Sequence, residues 1–393
     1  MRRCRSIVWI AGLCLLLGCQ STQLEPVDRD FTFEEDEKRM WARSREEQKR
    51  LGISGLVVED AELESYLTDV ARRLQPSATA DHLDLRIKIL RDPHMNAFAY
   101  PNGVIYIHTG ILARMDNEAQ LATLLAHEMT HSTHRHAIKS IRNLKNWSAA
   151  MSAVQVAAIG VGGSSAAVMN SIGSYGFLFA VTGYSQDLER EADAEAFRLV
   201  LAAGYDPTET PKLFEHLKKE LEAEGVNEPF FFGTHPRLQE RIDNFHSLIA
   251  KHPEKAPSTI LNRERFLEET RRILLLNAEL DLNLGRIPFA REAAEKYIAV
   301  LPDDPRGHTM LGDIYRESGE ENYLAHAQIH YEQAIYLDSG HGRAHRGVGL
   351  VHLKSGAIQD ACRHLQIYLE LEPEAVDREF IRKYLLRCKG EAK

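Results

Sequence analysis

Asn117-Glu-Ala-Gln-Leu-Ala-Thr-Leu-Leu-Ala-His127-Glu128-Met129-Thr130-His131 reads as one unbroken helix. Asp116-Asn117, with Gln120 three residues after Asn117, is a helix-start signal. Leu121, Leu124 and Leu125 recur at helical spacing and predict a buried face. Residues four apart on a helix lie one turn above each other, so His127 and His131 point the same way and can reach one metal ion. Glu128 lies beside that face, close enough to act on a water held there. In this His-Glu-x-x-His arrangement two imidazoles bind zinc and the glutamate takes the proton of the water. The chain holds 18 histidines, so a chance match must be weighed. The apolar helical approach, and the further histidines at 134 and 136, argue against chance.

A catalytic zinc needs a third protein ligand and one open position. Leu188-Glu189-Arg190-Glu191-Ala192-Asp193-Ala194-Glu195-Ala196-Phe197 supplies an acidic helix downstream. Glu189 and Asp193 are four apart and share a face. Glu189 is the candidate third ligand. Asp193, one turn on, is placed to hold a ligand histidine or the reacting groups by hydrogen bonds. Glu191 and Glu195 fall on other faces and read as solvated. A charged surface helix would be the simpler reading of this stretch alone; the upstream motif reverses that.

Taken together, H-E-x-x-H and E-x-x-x-D resemble metallopeptidase family 48, which includes the HtpX proteases and the CAAX prenyl proteases. The resemblance rests on Asn96-Ala97-Phe98-Ala99, His127 to His131, Glu189 to Asp193, and His235-Pro236 followed by Arg241-Ile242. It implies an α+β fold, a mainly helical zincin-type domain with a small β-sheet, holding one zinc ion per chain. It implies Glu189 as the third ligand beside His127 and His131, Glu128 as catalytic base, and Asp193 as a catalytic support or proton donor. His235 would be a fourth ligand or an oxyanion stabiliser, against the plain alternative of a loop histidine opening the next helix.

Upstream of the zinc motif, Leu83-Asp-Leu-Arg-Ile-Lys-Ile-Leu90 alternates and predicts a strand, as do Asn96 to Tyr100 and Val104 to His108. Pro101-Asn102-Gly103 makes the turn between the last two. An edge strand beside a zinc helix can pair with an extended peptide. Asn96 and Ala97 are either the lining of that groove or ordinary sheet residues. Ala61 to Leu74 is an amphipathic helix. Phe31 to Arg50 reads as a charged surface helix with a solvated face. Ala149 to Ala167 is small and apolar but broken by Gly160, Gly162 and Gly163, which argues against a full membrane span. It is either a lid beside the site or a packed helical hairpin.

Met1-Arg2-Arg3-Cys4-Arg5 and the apolar run Ile7 to Leu17 read as a secretion signal over residues 1–18. Leu16-Leu17-Gly18-Cys19 resembles the bacterial lipoprotein cleavage box, which would leave Cys19 carrying the lipid. The rival is an uncleaved anchor. Gln20 after Cys19, where an Asp would favour the inner membrane, points to the outer membrane. A net charge of −9 argues against nucleic acid as a partner. Of five cysteines only Cys362 and Cys388 lie outside the signal and its lipid site.

From residue 262 the pattern becomes repetitive. Leu311-Gly312, Tyr315 and Gly319 open like a tetratricopeptide repeat, and Val348-Gly349, His352 and Gly356 repeat that spacing. Ala278, Asp281 and Gly285 form a weaker copy, and Ala290, Ala327 and Ala361 correspond in the second helices. The period is that of the tetratricopeptide family, with about three residues added near Glu321 to Leu324. Such repeats present a concave protein-binding surface. The expected organisation is a tether and helix over 19–57, a zinc metalloprotease domain over 58–250, and an all-α tetratricopeptide domain over 262–390. The whole order resembles the BepA-like, repeat-bearing branch of the family. That implies a membrane-tethered periplasmic protease, with unfolded or misassembled proteins as substrates and the outer-membrane assembly machinery as partner of the repeats. The competing expectation is a chaperone or scaffold whose zinc is latent or structural.

Overall fold

The computed structural model describes residues 21–76, 79, 82–145, 184–225, 238–252 and 259–388. It divides into two compact units. The first holds the residues up to Arg91, Met95–Ile111 and Met115–Glu264; the second holds Arg265 onward with Asp92–His94 and Leu112–Arg114.

In the first unit, α1 (Glu35–Gly52) is followed by β1 (Val57–Val58), α2 (Ala61–Leu74), β2 (Arg86–Leu90), β3 (Ala97–Ala99) and β4 (Val104–His108). The sheet order is β1-β2-β4-β3. β2 and β4 run parallel, with Ile87 opposite Ile105 and Ile89 opposite Ile107. β3 and β4 form an antiparallel hairpin with Phe98 opposite Tyr106. Gly103 turns that hairpin at φ 93°. A Cβ there would stand 3.1 Å from the Leu83 Cβ, so the turn needs glycine for both its angle and its space. The predicted strands are present, and β3 lies at the sheet edge.

Beyond the sheet come α3 (Thr109–Arg114), α4 (Glu118–Thr133), α5 (Gln186–Ala202), α6 (Glu209–Glu224) and α7 (Leu238–Lys251). Every residue of α4 is buried, not one face alone. The reason is that α2, β3, β4, α5 and α6 all pack against it. Such a helix must satisfy its own polar groups. At its start the Asn117 Oδ1 accepts from the Gln120 N–H at 3.1 Å, and the Gln120 Oε1 accepts from the Asp116 N–H at 2.9 Å. Both side-chain amides then donate to the Glu209 Oε2, which ties the helix start to α6.

The expectation for α1 needs correction. It is not merely a solvated surface helix: Asp36, Glu37, Met40 and Ser44 are buried. Met40 packs with Ala137, Ile138 and Ile141 of the helical stretch 136–145. Arg142, itself 1% exposed, donates to both oxygens of Asp36, and Arg135 donates to both oxygens of Glu37. Charge counting along the sequence cannot tell a solvated carboxylate from one met by an arginine about a hundred residues away. Among the described residues no helix is long and apolar enough to cross a membrane. Cys19, His235 and the stretch Ala149 to Ala167 lie outside the described residues.

From Arg265 onward the described residues of the second unit form helices joined by short connections. Three helix pairs, α8 (Arg263–Asn283) with α9 (Ile287–Val300), α10 (Pro305–Ser318) with α11 (Tyr323–Leu337), and α12 (Gly342–Ser355) with α13 (Ile358–Leu371), are followed by α14 (Arg378–Cys388). Gly285, Gly319 and Gly356 follow the first helix of each pair in the left-handed conformation. Ala290, Ala327 and Ala361 are fully buried at equivalent places. The α10–α11 connection spans 319–322, two residues longer than the α12–α13 connection at 356–357, and α11 at 15 residues is one longer than α13 at 14. The chain is therefore an α+β unit followed by tetratricopeptide-type helix pairs. Cys362 is disulfide-bonded, to a partner outside the residues whose side chains are described.

Candidate metal centre

α4 presents His127, Glu128 and His131, and α5 presents Glu189 and Asp193; all five are buried. The two helices pack together, and the four-residue spacing on each stacks its pair of side chains at the contact. The His127 Nε2 lies 3.1 Å from the His131 Nε2 and 3.4 Å from the Glu189 Oε2. The His131 Nε2 lies 3.6 Å from the Glu189 Oε1. Zinc at about 2.0–2.2 Å from each donor places tetrahedral donors about 3.3–3.6 Å apart. Two imidazoles and a carboxylate at 3.1–3.6 Å fit zinc in number and chemistry, and their spacing is within about 0.2 Å of that range.

Behind this triangle stands a buried ion pair. The Arg241 Nη2 and Nε donate to the two Asp193 oxygens at 2.6 and 3.0 Å. The Asp193 Oδ1 is 2.9 Å from the His127 Nδ1. A carboxylate there fixes the His127 proton on Nδ1 and leaves the Nε2 lone pair facing the donor triangle. Burial alone would raise the Asp193 carboxyl, but the Arg241 charge and the His127 contact outweigh it and hold the carboxyl below its ordinary value. The Arg241 guanidinium also lies 4.2 Å over the Phe214 ring.

Glu128 lines a cavity together with His127, Asn96, Ala97 and Arg241. Its remaining walls are apolar: Ile111, Leu124, Leu213, Phe214, Leu217 and Leu238. The edge strand therefore meets the same space as the candidate base. The Asn96 C=O accepts from the His108 N–H at 3.0 Å, within the hairpin.

Three features were not read from the sequence. Arg241 lies in the motif that follows His235-Pro236, and its spacing assigns it no role. Tyr184 stacks on the His131 ring at 4.0 Å and 14°; nothing in its sequence context signals this. Glu191, expected to be solvated, faces the His134 Nδ1 at 2.6 Å, the His136 Nε2 at 3.4 Å and the Lys139 Nζ at 3.5 Å. Its contact with His136 outweighs burial and, with those to His134 and Lys139, holds its carboxyl far below the ordinary value. Glu195 pairs instead with Arg198 of its own helix.

Residues 58–249 match the family described as peptidase family M48. These residues belong to peptidase family M48. A Vibrio cholerae protein, provisionally named a beta-barrel assembly-enhancing protease, is 27% identical over 259 residues, covering 65% of this chain and 52% of that protein. The beta-barrel assembly-enhancing protease of Escherichia coli is 25% identical over 199 residues, covering 49% and 40%. The mitochondrial metalloendopeptidase OMA1 of Saccharomyces cerevisiae is 30% identical over 176 residues, covering 44% and 49%. The chain spans about half the length of these relatives. M48 peptidases are metal-dependent, generally through zinc, and the donor triangle of this M48 domain fits that ion.

Proposed function

We propose that the protein is a membrane-tethered, periplasm-facing zinc metalloendopeptidase that removes misassembled outer-membrane proteins. The observation that carries the reading is the buried triangle of His127, His131 and Glu189 with Glu128 beside it on the cavity wall. A structural zinc site has no use for a free position lined by a glutamate and an edge strand. Bound zinc would supply Lewis acidity to the scissile carbonyl and to the attacking water. Glu128 takes the proton of that water and passes it to the leaving amine. Asp193 and Arg241 orient His127 rather than donate protons, because a carboxylate clamped by a guanidinium is a poor acid at neutral pH. The β3 edge at Asn96 and Ala97 receives the substrate backbone, and the apolar cavity wall receives a side chain.

The periplasmic and outer-membrane parts of the reading draw support from the lipoprotein-like box at Cys19 and from the names of the Vibrio and Escherichia relatives. The helix pairs of the second unit suit protein contacts, for which the assembly machinery is the proposed partner. His235 is proposed as a fourth ligand, which would hold the enzyme latent, or as an oxyanion stabiliser.

The test pairs zinc analysis with proteolysis of unfolded and outer-membrane protein substrates. Glu128→Gln should keep stoichiometric zinc and lose about 10²–10⁴-fold in cleavage rate. Zinc bound, with no cleavage by either form and intact partner binding, would transfer the proposal to the chaperone or scaffold reading.

A further inference from the structure

The two metal-facing histidines are backed differently. His127 reaches a carboxylate, Asp193, directly. His131 reaches one through a second imidazole. Its Nδ1 lies 2.8 Å from the His136 Nδ1. Arg135, at φ 59°, turns the chain after α4 and brings His136 back to that contact. His136 is fully buried, and its Nε2 makes no conventional hydrogen bond; it faces the Glu191 Oε2 at 3.4 Å.

Proton placement along this line has one consistent solution when His131 offers its Nε2 lone pair to a metal. The neutral imidazole then carries its proton on Nδ1. That N–H can only donate to the His136 Nδ1, which must be an acceptor. The His136 proton therefore sits on Nε2 and points at the Glu191 carboxylate. Reversing either bond would put a proton on the His131 Nε2 and remove it as a ligand. We infer that His136 and Glu191 are positioning residues that fix the tautomer and ring orientation of His131. Glu191 anchors the line, and His134 and Lys139 hold Glu191 in place. The same solution argues against a second metal among His134, His136 and Glu191, although their donors cluster, because the His136 Nε2 has no lone pair to give. Outer partners of ligand histidines act on metal affinity and on ring orientation together.

This inference rests on the reading of His131 as a metal ligand, and the experiment separates the two. Zinc affinity of the full chain is measured by chelator competition for wild type, Glu191→Gln, His136→Phe and the double variant. Nitrogen-15 NMR of histidine-labelled, zinc-loaded protein reports the His136 tautomer. Glu191→Gln should weaken zinc about tenfold and shift His136 away from the Nε2–H form. The double variant should bind no worse than His136→Phe, because the two act in series. Should His136→Phe fail to fold, the tautomer shift in Glu191→Gln, which alters a partly exposed side chain, still decides. A zinc-binding wild type with an unchanged tautomer and an affinity within twofold in Glu191→Gln overturns the inference. Equal Glu191→Gln losses with and without His136 overturn it too. A wild type that binds no zinc overturns the site reading itself.

Discussion

Glu118 in the first unit and Tyr331 in the second are both fully buried, and they are accommodated in opposite ways. Glu118 takes hydrogen bonds from the hydroxyls of Tyr66 and Tyr205, from Arg73 and from the Asn262 amide. Its burial is tolerated through charge and donor count. Tyr331 is tolerated through shape. Its ring occupies the space left by Gly312 and Gly347, where a Cβ would come within 2.5 and 2.3 Å of ring carbons. Its hydroxyl needs only Asp313 and Arg316. The M48 domain holds its reactive helix by matching polar partners, whereas the repeats hold theirs by fitting small residues to aromatic rings. The two strategies should fail under different substitutions.

The largest effect on stability should follow from breaking a charge match. Arg241→Leu keeps the side-chain volume but strands the Asp193 carboxylate in a dry site beside His127. A buried charge deprived of its partner costs about 3–5 kcal/mol. Denaturant unfolding should show that loss, and chelator competition should show weaker zinc binding. Replacing Asp193 as well, in Arg241→Leu/Asp193→Asn, should recover part of the stability without restoring the zinc affinity. An Arg241→Leu protein as stable as wild type would show that the pair contributes nothing to the fold.

What the sequence made legible follows the same division. Local periodicity placed His127 with His131 and Glu189 with Asp193, because four-residue spacing is a property of one helix. It also located β2, β3 and β4 and the helix pairs, whose glycine and alanine positions recur at a fixed period. It did not reveal that α4 is buried all round, since Glu118 is satisfied by Tyr66, Tyr205 and Asn262 from distant parts of the chain. Nor did it reveal that Arg241 clamps Asp193 across 48 positions, or that Glu191 faces two histidines and a lysine. Each of these is a long-range polar match, which leaves no period in the sequence. Shape matches inside a repeat are read more easily because the repeat copies them.

A smaller effect should follow from breaking the shape match. Gly347→Ala improves helix propensity, yet the added methyl meets a Tyr331 ring held at its hydroxyl by two partners. Overpacking of this kind costs about 1–3 kcal/mol. The second unit should unfold earlier, while zinc affinity and the cleavage rate of small peptides stay at the wild-type values. Tyr331→Leu in the same background should relieve the clash. If Gly347→Ala is neutral, the ring has room to move and the contrast between the units weakens.

The smallest effect concerns pH and compares the units through their histidines. In the repeats, His308 faces His330 at 3.2 Å and His345 faces His364 at 3.0 Å, between Nδ1 atoms. Each histidine pair joins the two helices of one helix pair, at equivalent places in α10–α11 and α12–α13. Such a pair is a good hydrogen bond when one ring is neutral and a repulsion when both are charged. Burial first, then the neighbouring His308 and His326, push His330 down to about 4; burial and then His345 and His352 lower His364. A histidine whose folded value lies below its ordinary 6.5 stabilises the fold fully above pH 6.5. That contribution is lost as pH falls from 6.5 toward 4. Tyr315 stacks on His330 and Arg291 lies over the Tyr315 ring, so a further positive charge there gains nothing from its surroundings. Both rings of the His308–His330 pair are partly exposed, which limits the loss to about 1 kcal/mol by pH 4.5. Thermal unfolding of wild type and of His330→Asn between pH 7.5 and 4.5 measures it. The wild-type curve should fall more steeply on acidification than the variant's. Parallel curves would mean that the pair is not held neutral by the fold, and that the repeats tolerate buried polar groups by shape alone.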